Sequence, residues 1–433
     1  MVSSKRIVLT AFRTFGDLYP AIALPQELQT RGHHVVIATS EGYRSKVEEI
    51  GINFHSLRPK LPAELGAEWT KLIFNGRIKN KELMDLVCSS QRETYEDLLE
   101  AAEVADLLIS MNCTVVVAPL VAQKTKIPWI SCFLDPYYVD DDMLGLTPFA
   151  WVNHIFIKFV WFCLSFVPSV LLLHKQISQL RTEIGLPPVK LYKFLPELSS
   201  PQLILAMYSP VMARLRKNYP ANTQITGCVF FNRLTPNQKL PQTLVEFLDS
   251  GPAPIVFTLG SSTVYFEEAL NFYTQSVIAA KKLGYRAILL VGNAPENLPS
   301  ELLTKDIIAV NYAPHSELFP RAAAIVHQGG MGTTSQALLS GVPMLVVAHS
   351  YEQPDNAERI VNLGIGRRLK LQTYRAEQAV VELKKLLTQP KYKAKILKVQ
   401  NRIQSENGIQ NACDAIEKQL KISEVESDFY FAT

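Results

Sequence analysis

The chain has 433 residues, more than one hydrophobic core usually serves, so we expect two domains. Hydrophobic residues make up 48% of it and charged residues 19%, a balance that excludes extensive disorder. The formal net charge of +4 is small for this length and no long Lys/Arg block accompanies it, which argues against nucleic acid as the main partner.

The six cysteines are scattered, without a CxxC pair or a Cys/His cluster at zinc spacing. This pattern favours a reduced, cytoplasmic protein with no metal site. The apolar run near the N-terminus is too short for a signal peptide and predicts a first strand instead.

Short apolar runs predict buried strands at 6–12, 34–40, 105–111 and 128–134. Between the first two, a segment with apolar Ile22, Leu24 and Leu28 ends at Gly32, which indicates a helix. A strand, a helix and a strand in succession form a βαβ unit, so we expect a parallel sheet with helices on both faces.

The same pattern returns later in the chain. It predicts strands at 253–262, 286–292, 306–312, 322–330 and 342–350, with helices between them, for example at 266–283 and 333–340. The polar connection at 225–250 divides the chain into two α/β halves.

Residues 151–173 form the most apolar stretch, close to the length that a membrane span needs. Three interpretations stay open: a helix buried in its own domain, a hydrophobic wall for a lipophilic acceptor that touches a membrane surface, or a membrane-spanning helix. His154 and Lys158 on one helical stripe argue against the third.

A glycine-rich turn follows the strand that ends near residue 326, in the segment "IVHQGGMGTTSQALLSGVP". Gly329, Gly330 and Gly332 allow a tight turn and a close approach of a ligand. We expect the next helix to start near Thr333, with Thr333 and Thr334 as caps. The start of a helix suits a diphosphate. Neither a Walker lysine nor a G-x-G-x-x-G spacing is present, which excludes P-loop and dinucleotide-binding sites.

An acidic residue beside an amide, Glu352–Gln353, follows the next strand and offers acceptors and donors for sugar hydroxyls. Together with Asn356 and the glycine turn, this order resembles the HHGGxGTT…GVP…DQ…NA signature of family 1 and family 28 glycosyltransferases. The segment "FGDLYPAIALPQELQTRGHHVVIAT" resembles the N-terminal pattern GDxxPxxALAxxLxxRGHxVxxAT of the bacterial and sterol-type branch.

The resemblance implies the GT-B fold, in which two Rossmann-like α/β domains face one another across a cleft. An acceptor-binding domain would span 1–235 and a nucleotide-sugar-binding domain 236–410. The tail, 411–433, would return towards the first domain.

The resemblance also assigns site residues. The donor diphosphate would lie against Gly260, Ser261, Ser262, His327, Gln328, Gly329, Gly330, Met331, Gly332, Thr333 and Thr334. Tyr312, Ala313, His315 and Gln336 would hold the base and the ribose, and Glu352, Gln353 and Asn356 the sugar. Gln328, Gln336 and Glu352 depart from the family pattern, which has histidine, glutamate and aspartate there.

The resemblance makes Asp17 the general base that takes the proton of the acceptor hydroxyl. Asp17 is also placed to cap the first helix, and the two roles are compatible. Asp135 is a second candidate base without support from spacing.

The implied function is inverting, metal-independent and cofactor-free transfer of a hexose from a UDP- or dTDP-sugar to a lipophilic alcohol. The alternatives are a nucleotide-sugar isomerase of the same fold, or a nucleotide-sugar-binding protein with impaired catalysis. We expect a cytoplasmic monomer or dimer that contacts the inner membrane surface through 151–173, if it contacts a membrane at all.

Overall fold

The computed structural model describes residues 3–11, 15–59, 89–111, 115–136, 168–190, 201–215, 219–230, 239–261, 263–298, 300–349 and 352–431. The chain divides into two compact units. The first is Met1–Phe231 together with Asn407–Thr433, and the second is Asn232–Glu406. These boundaries lie within a few residues of the expected 235/236 and 410/411.

The first unit contains a parallel sheet of seven strands in the order β3-β2-β1-β4-β5-β6-β7. The strands are β1 (Arg6–Thr10), β2 (His34–Ser40), β3 (Asn53–Leu57), β4 (Leu107–Met111), β5 (Trp129–Phe133), β6 (Leu203–Ala206) and β7 (Thr223–Ile225). The helices that accompany them are α1 (Phe15–Thr30), α2 (Arg44–Glu49), α3 (Gln91–Ala102), α4 (Ala118–Thr125) and α5 (Pro168–Glu183).

The second unit contains a parallel sheet of six strands in the order β10-β9-β8-β11-β12-β13. The strands are β8 (Ile255–Thr258), β9 (Ala287–Leu290), β10 (Ile307–Val310), β11 (Ala324–His327), β12 (Met344–Ala348) and β13 (Gly366–Lys370). The helices are α6 (Gln242–Asp249), α7 (Ala269–Leu283), α8 (His315–Leu318), α9 (Met331–Ser340), α10 (Gln353–Leu363), α11 (Ala376–Thr388) and α12 (Pro390–Gln404). The last helix of the chain, α13 (Gly408–Phe431), belongs to the first unit.

All nine predicted strands are confirmed; β2 matches its predicted run, and the other eight are shorter than theirs. Four further strands, β3, β6, β7 and β13, escaped the sequence analysis. Three of them, β3, β7 and β13, lie at sheet edges, where polar and half-buried side chains interrupt the apolar pattern. The two Rossmann-like α/β units that the resemblance implied are present.

The core of the first unit lies on both faces of its sheet, because successive side chains of a strand point to opposite faces. Ile7 and Leu9 of β1 pack on one face with residues of α1 and α13, and Val8 packs on the other with residues of α3 and α4. Arg31, just after α1, binds Asp414 and Glu417 of α13 at 2.6 and 3.2 Å. The C-terminal helix therefore completes the first unit through both apolar and ionic contacts.

Most of the apolar stretch 151–173 lies outside the described residues, and its last six residues begin α5. Among the helices that the structure describes, none combines the length and apolar character needed to cross a bilayer.

Candidate functional site

The second sheet reverses its winding between β8 and β11, which are neighbours although two strands separate them in sequence. Open parallel sheets bind ligands at the carboxyl ends of their strands, at such a switch point. Thr258 of β8 pairs with His327 of β11, so both strands end at the same level. The topology therefore brings the predicted residues 260 and 261 beside the predicted segment 328–334.

The turn after β11 depends on two glycines. Gly329 has a φ of 93°, and a Cβ there would lie 2.7 Å from a methyl group of β12. Gly330 is extended and precedes α9 as its N-cap, so the helix begins at Met331. The prediction that Thr333 and Thr334 cap this helix is wrong, because the glycines turn the chain sooner. Both threonines lie inside the helix.

His327 is fully buried at the end of β11. Its Nδ1 accepts a hydrogen bond of 3.1 Å from the N–H of Gly329, and its Nε2 lies 3.5 Å from Met344 Sδ. Burial, together with the nearby His315, lowers the pKa of His327 to about 3. The ring is therefore neutral at physiological pH and shapes the turn from inside the protein.

Gln328 brings the two loops into contact. Its side-chain amide lies against Gly260 so closely that a Cβ at Gly260 would overlap Nε2. Nε2 donates to Thr333 Oγ1 at 3.4 Å, whereas Oε1 is buried and has no partner. Next to Gly260, Ser261 is exposed, and Ser262 lies outside the described residues.

The start of α9 offers unpaired donors to a ligand. The first N–H groups of a helix have no acceptor within it, and the helix dipole makes this end partially positive. A Cβ at Gly332, in the first turn, would meet nothing within 4 Å, so there is free space beside the helix. This combination suits a phosphate group.

Within the second unit, the buried side-chain oxygens without partners belong to this site. In the described part of the second unit, every buried side-chain oxygen or nitrogen that lacks a hydrogen-bond partner belongs to a predicted site residue. These atoms are Gln328 Oε1, Thr334 Oγ1, Gln336 Oε1 and Asn356 Oδ1. An unpaired buried polar group costs about 1–3 kcal/mol, so such a concentration is expected where a ligand supplies the missing partners.

The three predicted sugar-binding residues lie at the start of α10, in different environments. Glu352 precedes α10 and is half-buried, with Oε1 3.9 Å from the position that a Cβ of Gly330 would take. Gln353 and Asn356 are buried, and Asn356 has no exposed surface. Among the three, the carboxylate of Glu352 is thus the group with solvent access and a place beside the start of α9.

The predicted base-binding residues follow β10. Tyr312 exposes 52% of its surface, whereas Ala313 is buried. His315 begins α8, and its ring stacks on Phe319 with 4.3 Å between ring centroids. Burial lowers the pKa of His315 to about 4, so this ring is neutral as well. Gln336, the predicted ribose ligand, lies in the second turn of α9.

Asp17 lies in the first unit, in the first turn of α1 and shortly after β1. The first sheet reverses its winding between β1 and β4, so Asp17 follows a strand at the switch point of its own sheet. The rival candidate, Asp135, follows β5 and is buried.

Sequence reasoning missed Thr263 and His349, which both hydrogen-bond to Gln353. The ring of His349 packs edge-on against Phe266 at 4.3 Å, and its Nε2 lies 3.7 Å from Glu268 Oε1. The available signal was position: Thr263 directly follows one predicted strand, His349 lies at the end of another, and each stands within four residues of a predicted site residue.

Two family models match the chain. Residues 7–129 match the glycosyltransferase family 28 N-terminal domain, and residues 289–417 match the C-terminal domain of erythromycin biosynthesis protein CIII-like proteins. The first match covers β1 to the start of β5, and the second covers the glycine turn and α10.

Relatives and a solved structure agree with these matches. The chain is 26% identical to O-mycaminosyltylonolide 6-deoxyallosyltransferase of Streptomyces fradiae, over 95% of this chain and 97% of that protein. It is also 26% identical to sterol 3-beta-glucosyltransferase of Debaryomyces hansenii, over 97% of this chain but only 27% of that longer protein. The crystal structure of the glycotransferase of kitacinnamycin has the same fold, with a TM-score of 0.76 at 20% identity, over 97% of this chain and 100% of that one.

The two parallel sheets, the site at the second switch point and these matches define a glycosyltransferase of the GT-B fold. Within that class, the N-terminal part of the chain matches the family 28 N-terminal domain and its C-terminal part matches the EryCIII-like C-terminal domain.

Proposed function

We propose that the protein transfers a hexose, with inversion, from a nucleoside diphosphate sugar to a hydroxyl of a lipophilic acceptor. The observation that carries the proposal is the open start of α9, together with the unpaired buried oxygens of Gln328 before the helix and of Thr334 and Gln336 in its first two turns. Unpaired N–H groups suit the anionic diphosphate, and oxygen acceptors suit the hydroxyls of ribose and sugar.

The donor would bind along the carboxyl ends of β8, β10, β11 and β12. Its diphosphate lies at the start of α9, between the Gly329 turn and the Gly260 loop. Its base stacks near Tyr312, which exposes its ring, and its ribose meets Gln336. Its sugar lies by Glu352, whose carboxylate accepts hydrogen bonds from sugar hydroxyls.

In the reaction, the acceptor hydroxyl oxygen attacks the anomeric carbon and forms the glycosidic bond. The bond from that carbon to the diphosphate oxygen breaks, and the nucleoside diphosphate leaves with the electron pair. The hydroxyl proton passes to the carboxylate of Asp17. A single displacement inverts the anomeric centre, so an α-linked D-hexose donor gives a β-linked product.

The leaving diphosphate gains negative charge, and oriented N–H donors stabilise such charge most effectively. His327 and His315 stay neutral, with pKa values of about 3 and about 4, so they contribute no positive charge. The main-chain N–H groups at the start of α9 and the amide of Gln328 carry this task in our proposal, without a divalent metal and without a cofactor.

The acceptor class is inferred from chemistry and likeness. The similar proteins are named for a macrolide and a sterol substrate, both lipophilic alcohols. We therefore propose a polycyclic or macrocyclic natural-product or sterol-like alcohol.

Two measurements test the proposal. The first is a thermal-shift panel of UDP, dTDP and their glucose and rhamnose conjugates, in which at least one nucleotide should raise the melting temperature. The second is mass spectrometry of products from that donor and pooled lipophilic alcohols, where a hexose adduct is expected only when an acceptor is present. A converted nucleotide sugar without an acceptor would indicate an isomerase. Binding without any product, even in a single turnover, would indicate a binding protein.

A further inference from the structure

The segment 383–405, which contains α12, concentrates positive charge. It carries seven of the 44 lysine and arginine residues of the chain and none of the 40 acidic residues. Without this segment, the formal net charge of the chain would be −3 and not +4. The cations are interspersed with apolar residues, so they do not form a continuous block in the sequence. The segment is thus a basic region of a chain that is otherwise slightly acidic.

The inner face of α12 attaches the helix to the rest of the second unit. Tyr392, Ile396 and Ile403 are buried on this face. Lys393 Nζ donates a hydrogen bond of 2.9 Å to the carbonyl oxygen of Gly341, directly after α9, where the helix dipole is partially negative. The fold therefore uses this face of α12 and one of its cations.

The outer face of α12 carries cations that the fold does not use. Lys391, Lys398 and Arg402 are exposed and form no ion pair with any residue that the structure describes. Because about 3.6 residues make one helical turn, all three lie on the side opposite the buried residues. Leu397, next to Lys398, exposes 40% of its surface. The outer face thus combines unpaired positive charge with an exposed apolar side chain.

This arrangement of cations destabilises α12. Lys391 lies in the first turn, where the partial positive charge of the helix dipole disfavours a cation. Lys391 and Lys395 are like charges four residues apart, as are Lys398 and Arg402, and such pairs destabilise a helix. The preceding helix, α11, has Glu377 in its first turn instead. An anionic partner on the outer face would remove the repulsion.

We propose that the outer face of α12 binds an anionic lipid surface. Each lysine or arginine close to such a surface strengthens binding about fivefold. The side chain of Leu397 enters the boundary between head groups and acyl chains, where an apolar group is stabilised. This leucine favours a lipid surface over nucleic acid, whose phosphate backbone attracts the cations alone.

Binding to a lipid surface brings the enzyme to the place where a lipophilic alcohol accumulates. That benefit rests on the proposed function, whereas the binding itself does not. The two are therefore tested separately, and the lipid test uses neither a nucleotide nor an acceptor.

The test measures how the full-length protein partitions onto lipid vesicles in a flotation assay. Vesicles of phosphatidylcholine alone are compared with vesicles that contain about one third phosphatidylglycerol, at about 0.1 M and at about 1 M salt. Duplex DNA at the same phosphate concentration is the competing polyanion. Circular dichroism measures the melting temperature of each variant.

Two triple variants lose the same charge at different places. The α12 variant combines Lys391→Gln, Lys398→Gln and Arg402→Gln. The control variant replaces exposed lysines of three other parts of the chain and combines Lys281→Gln, Lys305→Gln and Lys421→Gln. A single variant, Leu397→Gln, removes the apolar contact and keeps the charge.

We expect the unmodified protein to bind the anionic vesicles at low salt and to stay free of the neutral ones. The α12 variant should bind about a hundredfold more weakly, from about fivefold for each of three cations, without a lower melting temperature. The control variant should bind as the unmodified protein does, and high salt should abolish binding. Leu397→Gln should weaken binding to vesicles and leave binding to DNA unchanged.

The inference is overturned if the unmodified protein does not prefer anionic vesicles, if the α12 variant keeps its affinity, or if the control variant loses as much. DNA binding as tight as vesicle binding would also overturn it and would assign this face to nucleic acid. Should the triple α12 variant unfold, Lys398→Gln and Arg402→Gln decide as single variants, each with an expected loss of about fivefold. If the protein binds vesicles but transfers no hexose, the proposed function fails and the lipid-binding face stands.

Discussion

The side-chain amide of Gln328 lies directly against the backbone of Gly260, with no room for a Cβ between them. This contact brings the loops after β8 and β11 together at the switch point of the second sheet. Gly260 is constrained twice, because its φ of 66° disfavours other residues and Gln328 fills the space where a side chain would start.

Gly260→Ala is expected to destabilise the protein more than a substitution with backbone strain alone. Gly284 provides that comparison, since its φ is 70° and a Cβ there would meet nothing within 4 Å. Gly284→Ala should lower the free energy of unfolding by about 1–2 kcal/mol, and Gly260→Ala by about a further 1–3 kcal/mol from overlap. Urea unfolding measures both.

The source of that difference can be checked by adding Gln328→Ala to each glycine variant. The second substitution should recover part of the loss in Gly260→Ala and nothing in Gly284→Ala, because contacting residues do not act additively. If the two glycine variants lost the same free energy of unfolding, the overlap with Gln328 would have no effect on stability.

The lowered pKa of the buried His327 ring predicts that the stability of the protein depends on pH. Folding lowers its pKa from 6.5 to about 3, so the folded state favours the neutral ring. The contribution is fully present above pH 6.5 and is lost as the pH falls towards 3, with a total on the order of several kcal/mol. His327→Asn keeps an acceptor for the N–H of Gly329. In this variant, the urea concentration at the unfolding midpoint should vary less between pH 6.5 and pH 4 than in the unmodified protein. The control is His34→Asn at an exposed position, which should leave the curve unchanged. Parallel curves for His327→Asn and the unmodified protein would contradict the prediction.

Asp17→Asn is expected to lower kcat about 10²–10⁴-fold, the usual contribution of a general base. Nucleotide affinity should stay unchanged. The melting temperature should fall only slightly, because Asp17 lies inside the first turn of α1, where a carboxylate stabilises the helix by about 0.3–1 kcal/mol. Asp135→Asn is the companion variant and should keep its turnover if it folds. Near-normal turnover of Asp17→Asn would refute the assignment, and loss only in Asp135→Asn would transfer the role to Asp135.

Tyr312→Ala is expected to weaken nucleotide binding about tenfold, because stacking of a base on an aromatic ring contributes about 1–3 kcal/mol. Tyr312→Phe keeps the ring and should bind normally. Pyrophosphate lacks a base, so its dissociation constant should be the same for all three proteins in calorimetry. A loss of pyrophosphate affinity in Tyr312→Ala would point to a disturbed loop rather than to stacking.

The sequence by itself determined the alternation of strands and helices, because the spacing of apolar side chains reports local structure directly. It also located the glycine turn, since the freedom of Gly329 and Gly330 is a property of the residue type. It missed four strands: β6, which lies inside the first sheet, and β3, β7 and β13, where edge positions remove the need for a continuous apolar run.

Only the tertiary structure decided what the polar side chains of the site touch. The strand order places β8 beside β11 and β12, and so brings Gln328 to Gly260 and Gln353 to Thr263. It also buries His327, which the sequence left open as a phosphate contact, and it turns Asn356 onto the carbonyl of Gly329. An amide can donate and accept in many directions, so its partners follow from the packing of distant segments and not from its neighbours in the chain.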